Sequence, residues 1–246
     1  MNITQKTILI TGAGSGIGYA TAKRLSDAGN KVIIVGRNAA KIEKAGKELG
    51  LTAIVCDITD ESAIVNLINR VKTEFPDLSV IINNAGMAHL YKLGENAGAF
   101  DKAKKEFETN YFAPVRITES LLPVLKAQPE AAIVNITSNV SFHPLVILPT
   151  YSDTKAALHS HTVALRLTLA KDTNIKVFEV MPSLIDTEAT KDMGGENGLP
   201  PSVVAEDIFN GISKDIYEIY VGDTGQQHAA YFADPVAAVQ NFNKGL

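Results

Sequence analysis

Tyr151 and Lys155 are four residues apart in a segment with a helical pattern, so both side chains project from one face of a helix. A lysine ammonium near a phenol favours the phenolate, because two unit charges about 4 Å apart interact by about 4 kcal/mol at an effective dielectric of about 20. The spacing therefore predicts that Lys155 lowers the pKa of Tyr151, and that Tyr151 exchanges protons near neutral pH. A Tyr/Lys pair at this spacing is also typical of an ordinary surface contact.

Ser138 and Asn110 are two further polar residues at positions that suit chemistry. Ser138 follows the predicted strand 132–137, and parallel sheets bind ligands at the carboxyl ends of their strands, so its hydroxyl could hold a substrate oxygen. Asn110 and Pro114 lie inside the helical pattern 97–125, where the proline ring should free the carbonyl of Asn110. We hypothesise that this carbonyl binds a water linking Lys155 to solvent. The alternative is a structural kink in which Asn110 only ties neighbouring strands.

A glycine-rich turn, Gly12-Ala-Gly-Ser15-Gly16-Ile17-Gly18, joins the first predicted strand to the first predicted helix. Glycines let the backbone approach a diphosphate, whose charge then meets the free N–H groups at the helix N-terminus. The position of the turn in an alternating chain favours a dinucleotide site over a turn that binds nothing. A nucleoside triphosphate site is disfavoured, because no Gly-Lys-Ser/Thr sequence follows the turn.

The end of the second predicted strand reads Gly36-Arg37-Asn38, at the place where dinucleotide folds read the adenosine ribose. A carboxylate there would favour a free 2′-hydroxyl, but the next acidic residue is Glu43, inside a predicted helix. The planar guanidinium of Arg37 suits a 2′-phosphate, so the sequence favours NADP(H) over NAD(H). The alternative is a solvated arginine that stacks on adenine without selecting the phosphate, which leaves NAD(H) possible.

Short β-branched runs alternate with longer amphipathic segments along the chain. This alternation predicts an α/β Rossmann fold, a doubly wound parallel sheet of three layers, because parallel strands need crossover connections. We predict a single domain over residues 1–246, in which 187–200 is either a mobile substrate lid or a plain surface loop. Thr59, Ser152 and Ser202 are predicted helix caps. The predicted strands are 7–11, 31–35, 52–56, 80–82, 132–137, 176–181 and 216–221, and the predicted helices are 17–29, 39–49, 60–74, 97–125, 152–171 and 201–213.

The composition excludes several other classes of protein. The chain has 246 residues, 20% of them charged, a net charge of −4 and the single cysteine Cys56. One thiol cannot form an internal disulfide, and a chain without a dense basic run lacks the charge pattern of a nucleic-acid binder. The first residues lack the features of a secretory signal, and no apolar run approaches the roughly 18 residues of a membrane span. We expect a soluble, cytoplasmic protein with no nucleic-acid or membrane partner.

These motifs together resemble the short-chain dehydrogenase/reductase family, in family order and spacing over residues 5–225. The resemblance implies that Tyr151 is the acid/base, that Ser138 orients the substrate oxygen, and that Lys155 holds the nicotinamide ribose. It also implies that Asn110 completes a proton relay. The matching segments are Thr11-Gly-Ala-Gly-Ser-Gly-Ile-Gly18, Asn83-Asn-Ala-Gly86, Asn110, Ser138, Tyr151-Ser-Asp-Thr-Lys155 and Pro182 to Thr187. Besides Tyr151 and Lys155, the predicted cofactor contacts are Gly12, Ser15, Gly16, Ile17, Gly18, Arg37, Asn38, Asp57, Ile58, Asn84, Ala85, Gly86, Pro182, Ile185 and Thr187.

Within that family, the segments Ser141-Phe-His-Pro-Leu and Tyr151-Ser-Asp-Thr-Lys-Ala-Ala-Leu-His-Ser resemble the DltE-type branch. One departure is Ser183, where many relatives carry glycine after the proline. The predicted function is NADP(H)-dependent hydride transfer between nicotinamide and a carbonyl or secondary alcohol, with Tyr151 as acid/base. The alternative is a dinucleotide-sensing or regulatory binding protein that keeps the fold without turnover.

The remaining predictions concern the histidines and the association of the chain with copies of itself. His159 and His161 are two residues apart on a predicted helix and point to different faces, so no metal site is predicted. His143 lies between Ser138 and Tyr151 and is either a substrate contact or a loop histidine without one. The resemblance implies a homodimer or homotetramer that associates through helices 97–125 and 152–171.

Overall fold

Seven strands form a single sheet, and every neighbouring pair in it is parallel. The computed structural model describes residues 1–246. The strands are β1 (Thr7–Thr11), β2 (Lys31–Gly36), β3 (Thr52–Val55), β4 (Leu78–Asn83), β5 (Ala131–Ile136), β6 (Ile175–Pro182) and β7 (Glu218–Val221), in the spatial order β3-β2-β1-β4-β5-β6-β7. The helices are α1 (Gly16–Asp27), α2 (Ala39–Leu49), α3 (Glu61–Glu74), α4 (Ala99–Phe107), α5 (Ala113–Lys126), α6 (Pro149–Leu169), α7 (Pro201–Ser213), α8 (Thr224–Ala233) and α9 (Pro235–Phe242).

Successive residues of each strand face opposite sides of the sheet, as the two-residue period of a strand requires. In β1, Ile8 and Ile10 belong to a core that contains residues of α1, α2 and α7. Leu9, between them, belongs to a second core that contains residues of α3, α5 and α6. Helices therefore cover both faces of the sheet, which confirms the predicted doubly wound α/β fold of three layers.

The predicted elements match the observed ones closely, but the predicted helix caps are wrong. Asp60 caps α3 in place of Thr59, and its side chain accepts a hydrogen bond from the backbone of Ala63. Both α6 and α7 begin with a proline, which suits a first helical position because no N–H is left without a partner there. The predicted caps Ser152 and Ser202 therefore lie inside their helices. Strand β7 also begins two residues later than predicted.

The long predicted helix 97–125 is interrupted. A π-helical turn, Glu108–Phe112, separates α4 from α5, and Asn110 lies in that turn. Pro114 is the second residue of α5 and follows this turn directly, so its missing N–H leaves a carbonyl of the preceding turn without its usual helical donor. The break lies where proline chemistry predicts it, although it is a widened turn and not a sharp kink.

The C-terminal part of the chain contains structure that the sequence patterns do not predict. The helices α8 and α9 follow the last strand and were not predicted. The segment 187–200 is folded into two 3₁₀ turns, Glu188–Met193 and Gly195–Asn197, and Thr187 and Thr190 exchange hydrogen bonds at its start. A backbone bridge between Ile185 and Leu199 closes the segment at its base. None of the helices has both the length and the apolar character that crossing a bilayer needs.

Candidate active site

The glycine-rich turn between β1 and α1 leaves no room for a side chain at Gly12 or Gly18. Gly12 and Gly16 have φ values of +68° and +56°, in the left-handed region that favours glycine. A Cβ on Gly12 would lie 2.7 Å from the Cα of Ala85, and a Cβ on Gly18 would lie 2.6 Å from the carbonyl oxygen of Gly12. Ser15 precedes the first turn of α1, whose N–H groups have no acceptor within the helix. The turn is therefore a cradle of backbone donors that suits an anionic group.

Asn84, just beyond β4, braces this turn. Its Nδ2 donates to the carbonyl oxygens of Thr11 and Gly12 at 2.9 and 3.2 Å. The hydroxyl of Thr11 accepts in return from the backbone N–H groups of Asn84 and Ala85, both at 3.1 Å. The two sequence motifs of this region thus form one rigid unit at the carboxyl ends of β1 and β4.

The carboxyl ends of β2 and β3 bring Arg37, Asp57 and Ile58 to the same cavity. Arg37 is exposed there. Asp57 shapes the turn after β3, because its carboxylate accepts from the backbone N–H and the hydroxyl of Thr59 at 2.9 and 2.8 Å. Asn38, which is also predicted to contact the cofactor, has its side chain elsewhere. Its side chain caps α2 by accepting from the backbone of that helix at 3.0 Å, and the residue does not line the cavity.

Ser138, Tyr151 and Lys155 meet at the carboxyl end of β5. Ser138 follows β5, whereas Tyr151 and Lys155 lie in the first two turns of α6. The Lys155 Nζ donates to the carbonyl oxygen of Ile136 at 2.8 Å and lies 5.5 Å from the centre of the Tyr151 ring. Because an ammonium, a phenol and a hydroxyl face one cavity, the site can bind an oxygen atom and exchange a proton with it.

Burial governs the pKa values of this pair. It raises the pKa of Tyr151 to about 12, while a hydrogen bond with Ser138 acts in the lowering direction and the Glu106 carboxylate raises the pKa further. It also lowers the pKa of Lys155 to about 8, against the opposing effect of Glu179. The predicted lowering of the Tyr151 pKa by Lys155 is therefore wrong for this structure, because the loss of water around the phenol is the largest influence and outweighs the hydrogen bond with Ser138.

Asn110 is fully buried in the π-helical turn. Its Oδ1 accepts from the backbone of Met87 at 2.9 Å, and its Nδ2 donates to the Met87 carbonyl at 2.9 Å and to the Thr154 hydroxyl at 3.0 Å. These bonds hold the segment after β4 against α6, so Asn110 has a structural role, but it does not tie neighbouring strands as the alternative expects. A Cβ on Gly86 would lie 3.6 Å from Asn110 Oδ1 and 3.8 Å from Lys155 Nζ, so Asn110 and Lys155 flank one glycine. The water link stays a prediction.

One cavity of about 830 Å³ joins these parts. It runs from the ends of β2 and β3, past the glycine turn, to the walls formed by α8 and α9. Asn38 and Asn110 are the predicted site residues that do not line it. The predicted residues that do are Gly12, Ser15, Gly16, Ile17, Gly18, Arg37, Asp57, Ile58, Asn84, Ala85, Gly86, Ser138, Tyr151, Lys155, Pro182, Ile185 and Thr187.

Sequence reasoning missed several residues at the far end of this cavity, namely Asn139, Asp223, Gln227 and Phe242. Three of them lie at or after the end of β7, where no motif marks a site. His143 is not a cavity residue. It is buried, its ring stacks on Phe242 with centroids 4.7 Å apart, and its Nε2 lies 3.2 Å from the Gln227 carbonyl oxygen.

The parallel sheet and the glycine cradle define a nucleotide-binding protein of the Rossmann class. The comparisons with known proteins go further. The model of the short chain dehydrogenase family matches residues 6–197. The chain belongs to this family of oxidoreductases, which confirms the resemblance seen in its motifs.

Among its relatives, the uncharacterized oxidoreductase DltE of Bacillus subtilis (strain 168) is 38% identical over 224 residues, which cover 91% of this chain and 85% of the relative. This similarity supports the DltE-type branch. Two solved structures share the fold. A short chain dehydrogenase from Burkholderia cenocepacia J2315 in complex with NADP has a TM-score of 0.85 and 24% identity, and 98% of each chain is covered. A short-chain dehydrogenase/reductase from Burkholderia phymatum in complex with NAD has a TM-score of 0.90 and 18% identity, covering 100% of this chain and 99% of the other.

Proposed function

We propose that this protein transfers hydride between NADP(H) and a carbonyl or secondary alcohol, with Tyr151 as the acid/base. The observation that carries the proposal is the meeting of Ser138, Tyr151 and Lys155 in the cavity that also contains the glycine cradle. A sensing protein would need the cradle but not this set of proton-exchanging side chains.

The residues of the cavity fit a nicotinamide dinucleotide. The close packing at Gly12 and Gly18 lets the glycine turn present backbone N–H groups at the cavity, which suits a diphosphate. The proposed contacts extend from Arg37 and Asp57 at one end to Ile185 and Thr187 at the other. The bound cofactor supplies or accepts the hydride, which is chemistry that no side chain can provide.

The chain itself would manage the proton and the substrate oxygen. Tyr151 holds its proton at neutral pH, because burial raises its pKa to about 12, and can donate that proton to the oxygen of a carbonyl undergoing reduction. The Ser138 hydroxyl would hold the same oxygen as negative charge develops on it. Lys155 would hold the nicotinamide ribose, and Asn110 would connect Lys155 to solvent through a water.

Replacement of Tyr151 by Phe tests the proton role. The Phe variant keeps the ring but loses the hydroxyl, so we expect turnover to fall by about 10²–10⁴-fold while NADPH binding stays unchanged. Turnover is measured by NADPH absorbance with a panel of carbonyl compounds, and binding is measured by fluorescence titration. Unchanged turnover in the variant would contradict the role of Tyr151. If the wild-type protein binds NADPH tightly but reduces no carbonyl of the panel, the dinucleotide-sensing alternative is favoured.

The preference for NADP(H) rests on the exposed guanidinium of Arg37, which follows β2 at a strand end that carries no carboxylate of its own. Of the two solved structures that share the fold, one is a complex with NADP and the other is a complex with NAD. For Arg37→Ala we expect NADPH to bind about tenfold or more weakly and NADH to bind unchanged, because only NADPH carries the phosphate. Arg70→Ala, at an exposed arginine of α3 outside the cavity, is the matched control. Equal wild-type affinities for NADPH and NADH would overturn the preference.

The partners follow from the surfaces of the molecule. The substrate end of the cavity is lined by apolar side chains that include Leu145, Ile147 and Phe242, so we propose a small carbonyl or alcohol with apolar substituents. We also propose a homodimer or homotetramer that associates through α4, α5 and α6. The lone thiol of Cys56 is buried, which suits the proposed cytoplasmic location.

A further inference from the structure

Ser138 begins a chain of hydrogen bonds that leads to α8. The Ser138 Oγ lies 2.9 Å from Asn139 Oδ1, and Asn139 Nδ2 lies 2.9 Å from Gln227 Oε1. The Gln227 Nε2 lies 2.7 Å from Asp223 Oδ2. Asn139 is buried, and all four residues line the substrate end of the cavity. The proposed reaction uses Ser138 alone among them.

The carboxylate of Asp223 sets the direction of every bond in this chain, because a carboxylate only accepts hydrogen bonds. Gln227 must turn its amide nitrogen toward Asp223 and its oxygen toward Asn139. Asn139 must then turn its own nitrogen toward Gln227 and its oxygen toward Ser138.

The Ser138 hydroxyl therefore donates its one proton to Asn139, since the Pro182 carbonyl is more distant, at 3.5 Å. The Tyr151 hydroxyl, which also bonds with Ser138, keeps its own proton at neutral pH and can be the donor of that bond. The Ser138 Oγ also accepts from the backbone N–H of Val140 at 3.4 Å, so its remaining lone pair, and not its proton, is left for a ligand.

The far end of the chain is fixed by packing. The backbone N–H of Gln227 donates to the Asp223 carbonyl at 3.0 Å, and its carbonyl oxygen lies 3.2 Å from the Nε2 of buried His143. The His143 ring is enclosed by Phe242 and Tyr231, with centroids 4.7 and 5.7 Å away. The backbone of Gln227 is thus held on two sides, which keeps its side chain within reach of Asn139 and Asp223, and the Asp223 carboxylate sets the direction of the hydrogen bonds.

This direction affects an alcohol and a carbonyl differently. An alcohol oxygen can donate to Ser138 and accept from Tyr151, so it leaves the bond between Ser138 and Asn139 intact. A carbonyl oxygen only accepts. To reach it, the Ser138 proton must leave Asn139, whose buried Oδ1 then has no donor.

We propose that Asn139, Gln227 and Asp223 are positioning residues that turn the Ser138 hydroxyl so that the site binds an alcohol more tightly than the matching carbonyl. The proposal rests on the proposed function, since these two ligands are its substrate and product. One net hydrogen bond corresponds to about a fivefold change in affinity. These residues act through Ser138 and are not themselves catalytic.

Asp223→Asn is the sharpest test, because the variant has the same shape and Asp223 is exposed. An amide at 223 can donate to Gln227, so the direction of every hydrogen bond in this series can reverse. Asn139 can then donate to Ser138, and the Ser138 proton becomes free for a carbonyl. The measurement is equilibrium binding in complexes that cannot react: acetophenone to the protein with NADP⁺, and 1-phenylethanol to the protein with NADPH. We expect the Kd for acetophenone to fall about fivefold in the variant and the Kd for 1-phenylethanol to stay within about twofold.

Two controls separate this effect from others. Asp172→Asn removes the same charge from an exposed turn between α6 and β6, and it should change neither Kd. In a Ser138→Ala background, Asp223→Asn should have no effect on the ratio of the two Kd values, because no hydroxyl remains to be turned. The proposal is overturned if Asp223→Asn leaves the ratio of the two Kd values unchanged. It is also overturned if the ratio shifts by the same factor in the Ser138→Ala background.

The outcome also separates this proposal from the proposed function. If both probes bind and are interconverted with NADPH and NADP⁺, but the ratio does not shift in Asp223→Asn, only the role of the positioning residues is wrong. If both bind and no carbonyl of the panel is reduced, the proposed function is wrong, and the Kd ratio still decides how Ser138 is turned. If neither probe binds the wild-type protein, the proposal about the positioning residues falls, and the panel of carbonyl compounds still tests the proposed function.

Discussion

At neutral pH, Tyr151 holds its proton and Lys155 holds most of its charge, although both side chains are removed from water. Burial alone would strip the charge from Lys155 more completely. The Glu179 carboxylate opposes it, and this buried group is itself bonded to Thr137 and to His159, at 2.6 and 2.9 Å. Because the pKa of Tyr151 is about 12 and that of Lys155 about 8, rising pH affects Lys155 first.

We therefore expect kcat/KM for NADPH to fall above about pH 8, by about tenfold per pH unit. The charged lysine exists below its pKa, so rising pH removes the cation proposed to hold the nicotinamide ribose, while Tyr151 stays protonated. Initial rates of acetophenone reduction between pH 6 and pH 10 measure the profile. Glu179→Gln removes the carboxylate that raises the Lys155 pKa, so its profile should fall at lower pH. A wild-type profile that stays flat to pH 10 would contradict the prediction.

At the scale of elements, the shape of the glycine cradle depends on how closely α1 approaches the ends of β1 and β4. Gly18, inside α1, lies against the backbone of the glycine turn and against Asn84. That contact aims the free N–H groups of α1 at the cradle. The packing of one helix residue therefore controls where a diphosphate can be held.

Gly18→Ala should disturb this contact, because the new Cβ would lie 2.5 Å from Asn84 Nδ2 and 2.6 Å from the Gly12 carbonyl. We expect a loss of about 1–3 kcal/mol in the free energy of unfolding, the usual cost of overpacking, together with weaker NADPH binding. Urea denaturation and NADPH titration measure the two effects. Gly94→Ala, whose Cβ would meet nothing within 4 Å, is the control and should stay within about 0.5 kcal/mol of the wild type. Equal stabilities of the two variants would refute the argument.

Elements that depend on local periodicity could be predicted from the sequence. The strand at residues 7–11 and the helices at 39–49 and 201–213 have the predicted bounds, because their apolar spacing is decided within a few residues. The cap at Asp60 and the π-helical turn at Asn110 could not be predicted. Several nearby polar residues could have capped α3, and a proline interrupts a helix without specifying the form of the break.

The candidate site divides in the same way. The residues of the glycine turn, with Ser138, Tyr151 and Lys155, could be predicted because motif spacing fixes their chemistry. Asn139 and Gln227 could not, because they are 88 residues apart and meet only when α8 packs beside the turn after β5. Burial also reverses the predicted shift of the Tyr151 pKa, and burial is a property of the whole fold.

At the scale of the whole molecule, an aromatic cluster remains on the outer surface of α4, the π-helical turn and α6. Tyr111 lies at its centre, with ring centroids 6.2 Å from Phe107, 5.4 Å from Phe112 and 5.9 Å from His161. Phe112 is 47% exposed. This surface belongs to the helices through which we propose that copies of the chain associate.

Phe112→Glu should convert the proposed dimer or tetramer to a smaller species, because a desolvated carboxylate at an apolar interface is strongly unfavourable. Light scattering coupled to size-exclusion chromatography measures the mass of both proteins. Phe232→Glu places the same charge on α8, at a side chain that is 68% exposed, and should leave the mass unchanged. A wild-type protein that elutes as a monomer would contradict the expected association.

The helices α8 and α9 lie beyond residues 6–197, which the family model matches, yet Gln227 and Phe242 from these helices line the substrate end of the cavity. Residues that shape the substrate end of the cavity therefore lie both inside the matched stretch and beyond it. A duplicated copy could diverge within residues 224–246 and acquire a new substrate while its cofactor cradle stays unchanged. Exchanging this stretch between relatives would be a direct way to transplant substrate preference.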